Sequence, residues 1–106
     1  MQSLIALTTT VDSRDIAESI ANAAIQDRLT ACVQIEGPIT SFYTWQGKIE
    51  QATEVRMLFK TTTSQLVPLL DRIKKLHPYE VPQLTWVEIQ ADGSYGKWVV
   101  DSTDPS

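Results

Sequence analysis

The fold is decided by the stretch Ile39-Thr40-Ser41-Phe42-Tyr43-Thr44-Trp45-Gln46-Gly47-Lys48. Its aromatic and β-branched residues favour a strand that ends at Trp45. Gln46-Gly47 is typical of a tight hairpin turn, in which glycine supplies a positive φ. The return strand is predicted to run from about Lys48 to Thr61, with every second residue on the same face. The two strands form a ribbon that is long for a chain of 106 residues.

Upstream of this ribbon the sequence predicts a strand, a helix and a second strand. Leu4 to Leu7 is a short apolar run of the kind found in buried strands. Asp12 is the predicted N-cap of a helix that ends near Arg28. Ala31 to Ile35 predicts the next strand, which Gly37-Pro38 should interrupt as a bend or bulge, because proline cannot pair in a central ladder.

Downstream of the ribbon, apolar residues at helical spacing predict an amphipathic helix that stops at His77. Leu84 to Ile89 alternates like a strand, and a short helix follows Asp92-Gly93. The order strand, helix, strand, strand, helix, strand predicts one α+β domain over residues 1–106. We expect a ferredoxin-like βαββαβ fold with a long hairpin between the second and third strands, a short C-terminal helix, and both main helices on one face of an antiparallel sheet.

The hairpin from about Ile39 to Lys60 should overhang this sheet and leave its strand edges unpaired. A protein must blunt, cover or pair such edges. The aromatic side chains of Phe42, Tyr43 and Trp45 favour pairing with another copy, since aromatic residues are enriched at interfaces. The sequence therefore predicts a homo-oligomer.

Composition excludes several functions. A net charge of −4 and nine scattered Lys and Arg residues provide no basic stripe for nucleic acid, although a small anion could bind at a local basic spot. The single cysteine, Cys32, allows no intrachain disulfide and favours a reducing compartment. The N-terminal segment resembles neither a signal peptide nor a membrane span. We expect a cytoplasmic protein that binds neither nucleic acid nor membrane.

The segment His77-Pro78-Tyr79-Glu80-Val81-Pro82 holds the only histidine. Its prolines fix φ and remove backbone donors, so it should form a stiff loop. Rigid loops often carry binding residues, and histidine titrates near neutral pH. The segment is equally consistent with a simple helix stop, in which His77 stabilises the last turn as a cation.

No motif for catalysis or for a nucleotide cofactor is present, so we expect no enzyme. Cys32 and His77 are too few for a closed zinc site in one chain. A soft ion such as Cu(I) could use Cys32 or Met57, or an oligomer could pool ligands from several chains. Alternatively, Cys32 is a small buried hydrophobe in a strand.

Further polar candidates lie on the predicted return strand. Glu54 and Lys60 have even spacing and should face the same side, where a solvated surface is the commoner explanation. The three tryptophans are expected to serve packing or an interface rather than ligand stacking. They are Trp45, Trp86 and Trp98.

Five motifs, in this order and spacing, resemble the CutA divalent-cation-tolerance family over nearly the whole chain. They are Ala31-Cys32-Val33-Gln34-Ile35, Ser41-x-Tyr43-x-Trp45-x-Gly47-Lys48-Ile49-Glu50, Glu54, Lys60-Thr61 and His77-Pro78-Tyr79-Glu80-Val81-Pro82. The resemblance implies a tight homotrimer with hairpins paired between subunits. It also implies a likeness to PII signalling proteins, whose ligands bind in clefts between subunits.

For function, the resemblance implies tolerance to copper or other divalent cations, none of them required for folding. Carried over to this chain, it makes Cys32 and His77 the metal ligands. Some copper-binding relatives have additional cysteines, which this chain lacks. The other motif residues are candidates for a ligand cleft, and alternative functions are a PII-like sensor of a small ligand or a trimer that anchors a partner protein. The cleft candidates are Tyr43, Trp45, Glu54, Lys60, Tyr79 and Glu80.

Overall fold

The computed structural model describes residues 1–105 and confirms the predicted order of elements. Four antiparallel strands form one sheet in the order β2-β3-β1-β4. Two long helices and a short C-terminal helix complete the ferredoxin-like arrangement. The elements are β1 (Gln2–Val11), α1 (Arg14–Gln26), β2 (Cys32–Trp45), β3 (Lys48–Thr61), α2 (Thr63–Leu76), β4 (Thr85–Ala91) and α3 (Gly93–Ser102).

The main core lies between the sheet and the first two helices, as expected. Leu7 of β1 pairs with Phe59 of β3, and both side chains are fully buried. Ile20 of α1 and Ile73 of α2 belong to the same apolar cluster. Burial of each such side chain contributes roughly 1.5–3 kcal/mol, so this face of the sheet is committed to packing and is not open to ligands.

Helix α3 packs near the end of the sheet where β1 begins. Its Gly96 is buried against Gln2, and a Cβ atom at that position would collide with the Gln2 side chain. Glycine therefore allows the helix to approach β1 closely. The helix begins at a cap formed by Asp92, whose carboxylate accepts a hydrogen bond from the Tyr95 amide at 2.9 Å.

The predicted cap of the first helix was wrong by one residue. The Ser13 hydroxyl, and not the Asp12 carboxylate, accepts the hydrogen bond from the Ile16 amide, at 3.1 Å. An N-cap side chain accepts from an amide two or three residues further along the chain, and Ser13 is the N-cap because α1 begins at Arg14. The helix ends at Gln26, close to the predicted end near Arg28.

The hairpin overhangs the sheet as predicted. Pairing of β1 with β3 ends at Val11 and Val55, whereas β2 and β3 continue for seven more pairs, up to Trp45 and Lys48. Positive φ angles of 52° at Gln46 and 78° at Gly47 close the turn. The molecule is consequently elongated, with extents of 45 × 24 × 21 Å.

The predicted interruption at Gly37-Pro38 is also confirmed. The register of β2 against β3 shifts between Glu36 and Ile39, which is a bulge at the point where the ribbon leaves the sheet. Gly37 has a φ of 137°, a conformation that residues with a side chain rarely adopt. The bulge therefore depends on glycine at this position.

Candidate functional site

A cleft of about 620 Å³ lies between the overhanging hairpin and the loop that follows α2. It brings together five of the six residues that the sequence suggests for a ligand cleft. Hairpin and loop both belong to the same chain, so one chain forms this cleft without a second subunit. The five residues are Tyr43, Trp45, Glu54, Tyr79 and Glu80.

Strand register explains why the hairpin residues meet on one face. Ile39 pairs with Glu54, and side chains alternate along each strand, so Tyr43 and Trp45 point to the same side as Glu54. Val55, the neighbour of Glu54, points to the opposite side, into the helix-covered core. The cleft therefore lies on the face of the ribbon that the helices leave open.

Tyr79 connects the loop to the hairpin. Its hydroxyl donates a hydrogen bond of 2.7 Å to Oε2 of Glu54, a carboxylate that is only 8% exposed. Burial, this hydrogen bond, and the charges of Glu54 and Asp12 all raise the pKa of Tyr79 well above its usual value of 10. The tyrosine is thus held as a neutral donor beneath the cleft.

His77 supports this loop from within. Its Nδ1 accepts a hydrogen bond from the Tyr79 amide at 3.1 Å, and its Nε2 lies 2.8 Å from the carbonyl oxygen of Thr10. Since an amide only donates and a carbonyl only accepts, the ring is the neutral tautomer with its proton on Nε2. Both ring nitrogens are therefore engaged, and no lone pair remains for a metal ion.

The helix-stop interpretation of His77 is confirmed in part. Helix α2 ends at Leu76, and the His77 amide donates to the carbonyl of Ile73 at 2.8 Å as the C-cap. The imidazole, however, points to β1 instead of the last turn of the helix. Pairing of β1 with β4 ends at Thr8. The carbonyl of Thr10, two residues further on, instead accepts a hydrogen bond from the imidazole.

Cys32 lies at the start of edge strand β2, partly exposed. It pairs with Lys60, and its sulfur lies 3.5 Å from the hydroxyl of Tyr95 on α3. The contact with Cys32, together with burial, raises the pKa of Tyr95 to about 12. The sulfur is therefore neither fully buried nor part of the cleft.

In one chain, the two predicted metal ligands are far apart. Cys32 is in line with Lys60 and Ala6 across the sheet, whereas His77 contacts Thr10, four residues further along β1. Strand rise and spacing place the Cα atoms of Cys32 and Thr10 roughly 15 Å apart. Within residues 1–105, no three His, Cys, Asp or Glu side chains group closely enough to hold a metal ion. A site in which Cys32 joins at least two other such side chains needs donors from another chain.

Lys60, the sixth cleft candidate, lies outside the cleft. Its ammonium group donates to Oε1 of Gln34 at 3.1 Å, next to Cys32 on the sheet. Glu54 and Lys60 do share one face of β3, as predicted, but only the glutamate reaches the cleft. The residues that line the cleft include two glutamates and no lysine or arginine.

Sequence reasoning missed two contributors to these sites. Thr10 lines the cleft and accepts the histidine hydrogen bond through its backbone, which no side-chain pattern reveals. Tyr95 becomes the neighbour of Cys32 only when α3 folds across the end of the sheet.

No helix in the described part of the chain is both long and apolar enough to cross a membrane.

Comparison with known proteins gives a consistent result. Residues 5–102 match the family model described as CutA1 divalent ion tolerance protein. The divalent-cation tolerance protein CutA of Thermus thermophilus is 40% identical over 95 residues, which cover 89% of this chain and 92% of that protein. Protein CutA of Homo sapiens is 38% identical over 96 residues, or 90% of this chain and 54% of that protein, so this chain spans about half of that relative.

A solved structure shows the same fold. The periplasmic divalent cation tolerance protein CutA from Archaeoglobus fulgidus superposes with a TM-score of 0.92 and 32% sequence identity. The match covers 95% of this chain and 99% of that chain. The hairpin and the loop that form the cleft are therefore within the shared fold.

Proposed function

Because this chain belongs to the CutA1 divalent ion tolerance family, we propose that it acts as a homotrimer in the response to divalent metal ions, with copper or another divalent cation as its ligand. The position of Cys32 carries the metal part of this proposal. Its partly exposed thiol lies on an edge strand, and β2 pairs with no second strand among residues 1–105. A neighbouring chain at this edge would bring further donors close to the thiol. A thiol is a soft ligand of the kind that Cu(I) favours.

The ribbon supports self-assembly. Ile49 is 81% exposed and Phe42 is 69% exposed, on the hairpin that overhangs the sheet. Exposed apolar groups of this size on strands with an unpaired edge favour association. We expect light scattering to give three chain masses for the wild type and a smaller mass for Ile49→Lys. Val67→Lys, at an exposed apolar position on α2, is the matched control. A monomeric wild type would contradict the proposal.

Metal binding is tested by titrating Cu(I) under reducing conditions against a competing chromogenic chelator. We expect Cys32→Ser to lose the binding that competes with the chelator. His77→Gln should retain it, since both ring nitrogens of His77 are already hydrogen-bonded. Equal affinity of the wild type and Cys32→Ser would exclude Cys32 as a ligand. Binding that is lost in His77→Gln alone would restore the histidine to the site.

We further propose that the protein is not an enzyme and that it functions in the cytoplasm. The first rests on the absence of catalytic motifs from the sequence and the second on its single cysteine. Fractionation of cells that express a tagged chain would test the location. Recovery in an extracytoplasmic fraction would contradict it.

A second candidate function is a regulatory sensor that binds a small ligand. The observation that favours it is that five of the predicted ligand-cleft residues line one cleft of about 620 Å³. Lys60, the sixth cleft candidate, lies outside this cleft and is hydrogen-bonded to Gln34. A thermal-shift screen should find a ligand whose effect disappears in Glu80→Gln. Ligand effects that persist in this variant would place the binding elsewhere.

A further inference from the structure

We propose that the cleft between the hairpin and the loop after α2 binds a small organic ammonium ion, held by aromatic rings and by the carboxylates of Glu54 and Glu80. This names the ligand class of the second candidate function and rests on it. The proposal does not involve the thiol of Cys32, which lies outside the cleft. It therefore concerns a site separate from the proposed metal site.

The charges around the cleft favour a cation. Glu54 is buried and Glu80 is exposed, so one carboxylate lies at the floor of the cleft and the other at its rim. Asp12 is close enough for its charge to act on the Tyr79 hydroxyl. A cleft that is lined by one sign of charge attracts ligands of the opposite sign.

Basic residues lie outside the lining of the cleft. Arg56 pairs with Thr10 across the sheet, but its guanidinium forms a 2.9 Å ion pair with Glu36. Lys48 lies at the hairpin tip, outside the lining of the cleft. No described basic side chain therefore cancels the carboxylates inside the cleft.

Aromatic rings supply the second feature of an ammonium site. Tyr43 is 46% exposed and Trp45 is 45% exposed, and both line the cleft on the side of Glu54. The face of an aromatic ring attracts a cation within about 6 Å, and tryptophan does so most strongly. This attraction needs no hydrogen bond, so it suits alkylated ammonium groups.

The size of the cleft distinguishes an organic ion from a bare metal ion. A volume of about 620 Å³ is that of a small-molecule pocket, which spans roughly 300–1,000 Å³. A divalent ion needs several donors within about 2–2.6 Å, and no such group exists within residues 1–105. An ammonium ion needs only the rings and one or two carboxylates.

The test is calorimetry with choline and spermidine, which represent quaternary and alkyl ammonium ions. Dimethylbutanol, in which carbon replaces the choline nitrogen, is the neutral control, citrate is the anionic control, and magnesium is the metal control. We expect saturable binding of at least one ammonium probe and none of the controls. Trp45→Leu or Glu80→Gln should weaken that binding by at least about fivefold. Trp98→Leu and Glu88→Gln, at exposed positions outside the cleft, should not.

The possible outcomes separate this proposal from the one on which it rests. Binding of citrate or dimethylbutanol that is lost in Trp45→Leu would overturn the cationic class and keep the cleft as a ligand site. Absence of binding for every compound at millimolar concentration would overturn the ammonium proposal, whereas the sensor function itself is decided by the thermal-shift screen. If Trp45→Leu instead lowers the mass seen by light scattering, a second copy occupies the cleft and the ammonium proposal fails.

Discussion

The hydroxyl of Tyr79 donates a 2.7 Å hydrogen bond to Glu54, and this contact fastens the loop after α2 to the base of the overhanging hairpin. Glu54 belongs to the first of the seven overhanging pairs, next to the bulge at Gly37. The contact thus acts where the ribbon leaves the sheet. It sets the separation of the two walls of the cleft.

Removing the donor should destabilise the protein. Tyr79→Phe leaves a buried carboxylate without its hydrogen bond, which costs about 1–3 kcal/mol. Urea unfolding measures this loss. Tyr95→Phe is the matched control, because its hydroxyl makes only a 3.5 Å contact with sulfur at an exposed position, and we expect a change within about 0.5 kcal/mol. Equal losses in the two variants would show that the hydrogen bond to Glu54 contributes no more to the free energy of unfolding than the sulfur contact of Tyr95.

The raised pKa of Tyr79 predicts a loss of stability in alkali. The unfolded chain releases the tyrosine proton near pH 10, the usual value, whereas the folded chain retains it to higher pH. Above pH 10 the unfolded state therefore binds fewer protons, so the free energy of unfolding falls as pH rises. Urea midpoints between pH 9 and 11 should fall less steeply in Tyr79→Phe than in the wild type. Parallel slopes would contradict the raised pKa.

The hydrogen bonds of His77 predict one tautomer. Nitrogen-resolved NMR of the imidazole should show the proton on Nε2, because Nδ1 accepts from the Tyr79 amide. Substitution by alanine should cost roughly 2–4 kcal/mol, since one buried hydrogen bond, one partly buried hydrogen bond and the ring packing are lost. A proton found on Nδ1 would be incompatible with the loop geometry.

Substitution by alanine should reduce stability more at the glycine of the bulge than at the glycine of the hairpin turn. At Gly37, an added Cβ would lie 3.1 Å from the Glu54 carbonyl oxygen, and φ is 137°. Gly37→Ala should therefore destabilise the protein by about 1–3 kcal/mol. Gly47→Ala, where φ is 78° and a Cβ meets nothing within 4 Å, should cost about 1 kcal/mol. Thermal unfolding of both variants makes the comparison, and a larger loss at Gly47 would contradict it.

Local sequence patterns were sufficient for most of the fold. The turn at Gln46-Gly47, the interruption at Gly37-Pro38 and the alternation along β3 each depend on short-range chemistry, and all three were predicted correctly. The cap of α1 was misplaced because Asp12 and Ser13 are both good capping residues. Only the start of the helix at Arg14 distinguishes them.

Prediction of the site was limited by contacts distant in sequence. Tyr79 and Glu54 are 25 residues apart, and His77 and Thr10 are 67 residues apart. No pattern in one segment reveals either pair. The resemblance to a family named six candidates, of which five line one cleft, but it could not separate Lys60 from the others. That separation requires the register of β3 and the path of the loop.

The seven overhanging pairs have a consequence for dynamics. Outside the sheet, each ribbon strand is hydrogen-bonded on one side only, so its amides can open locally without unfolding the core. Hydrogen exchange should accordingly protect Leu7 and Phe59 in any folded chain. Protection of the outward-facing amides of the ribbon would instead report whether another chain lies against it. Exchange protection of the core strands therefore reports folding, and exchange protection of the ribbon reports assembly.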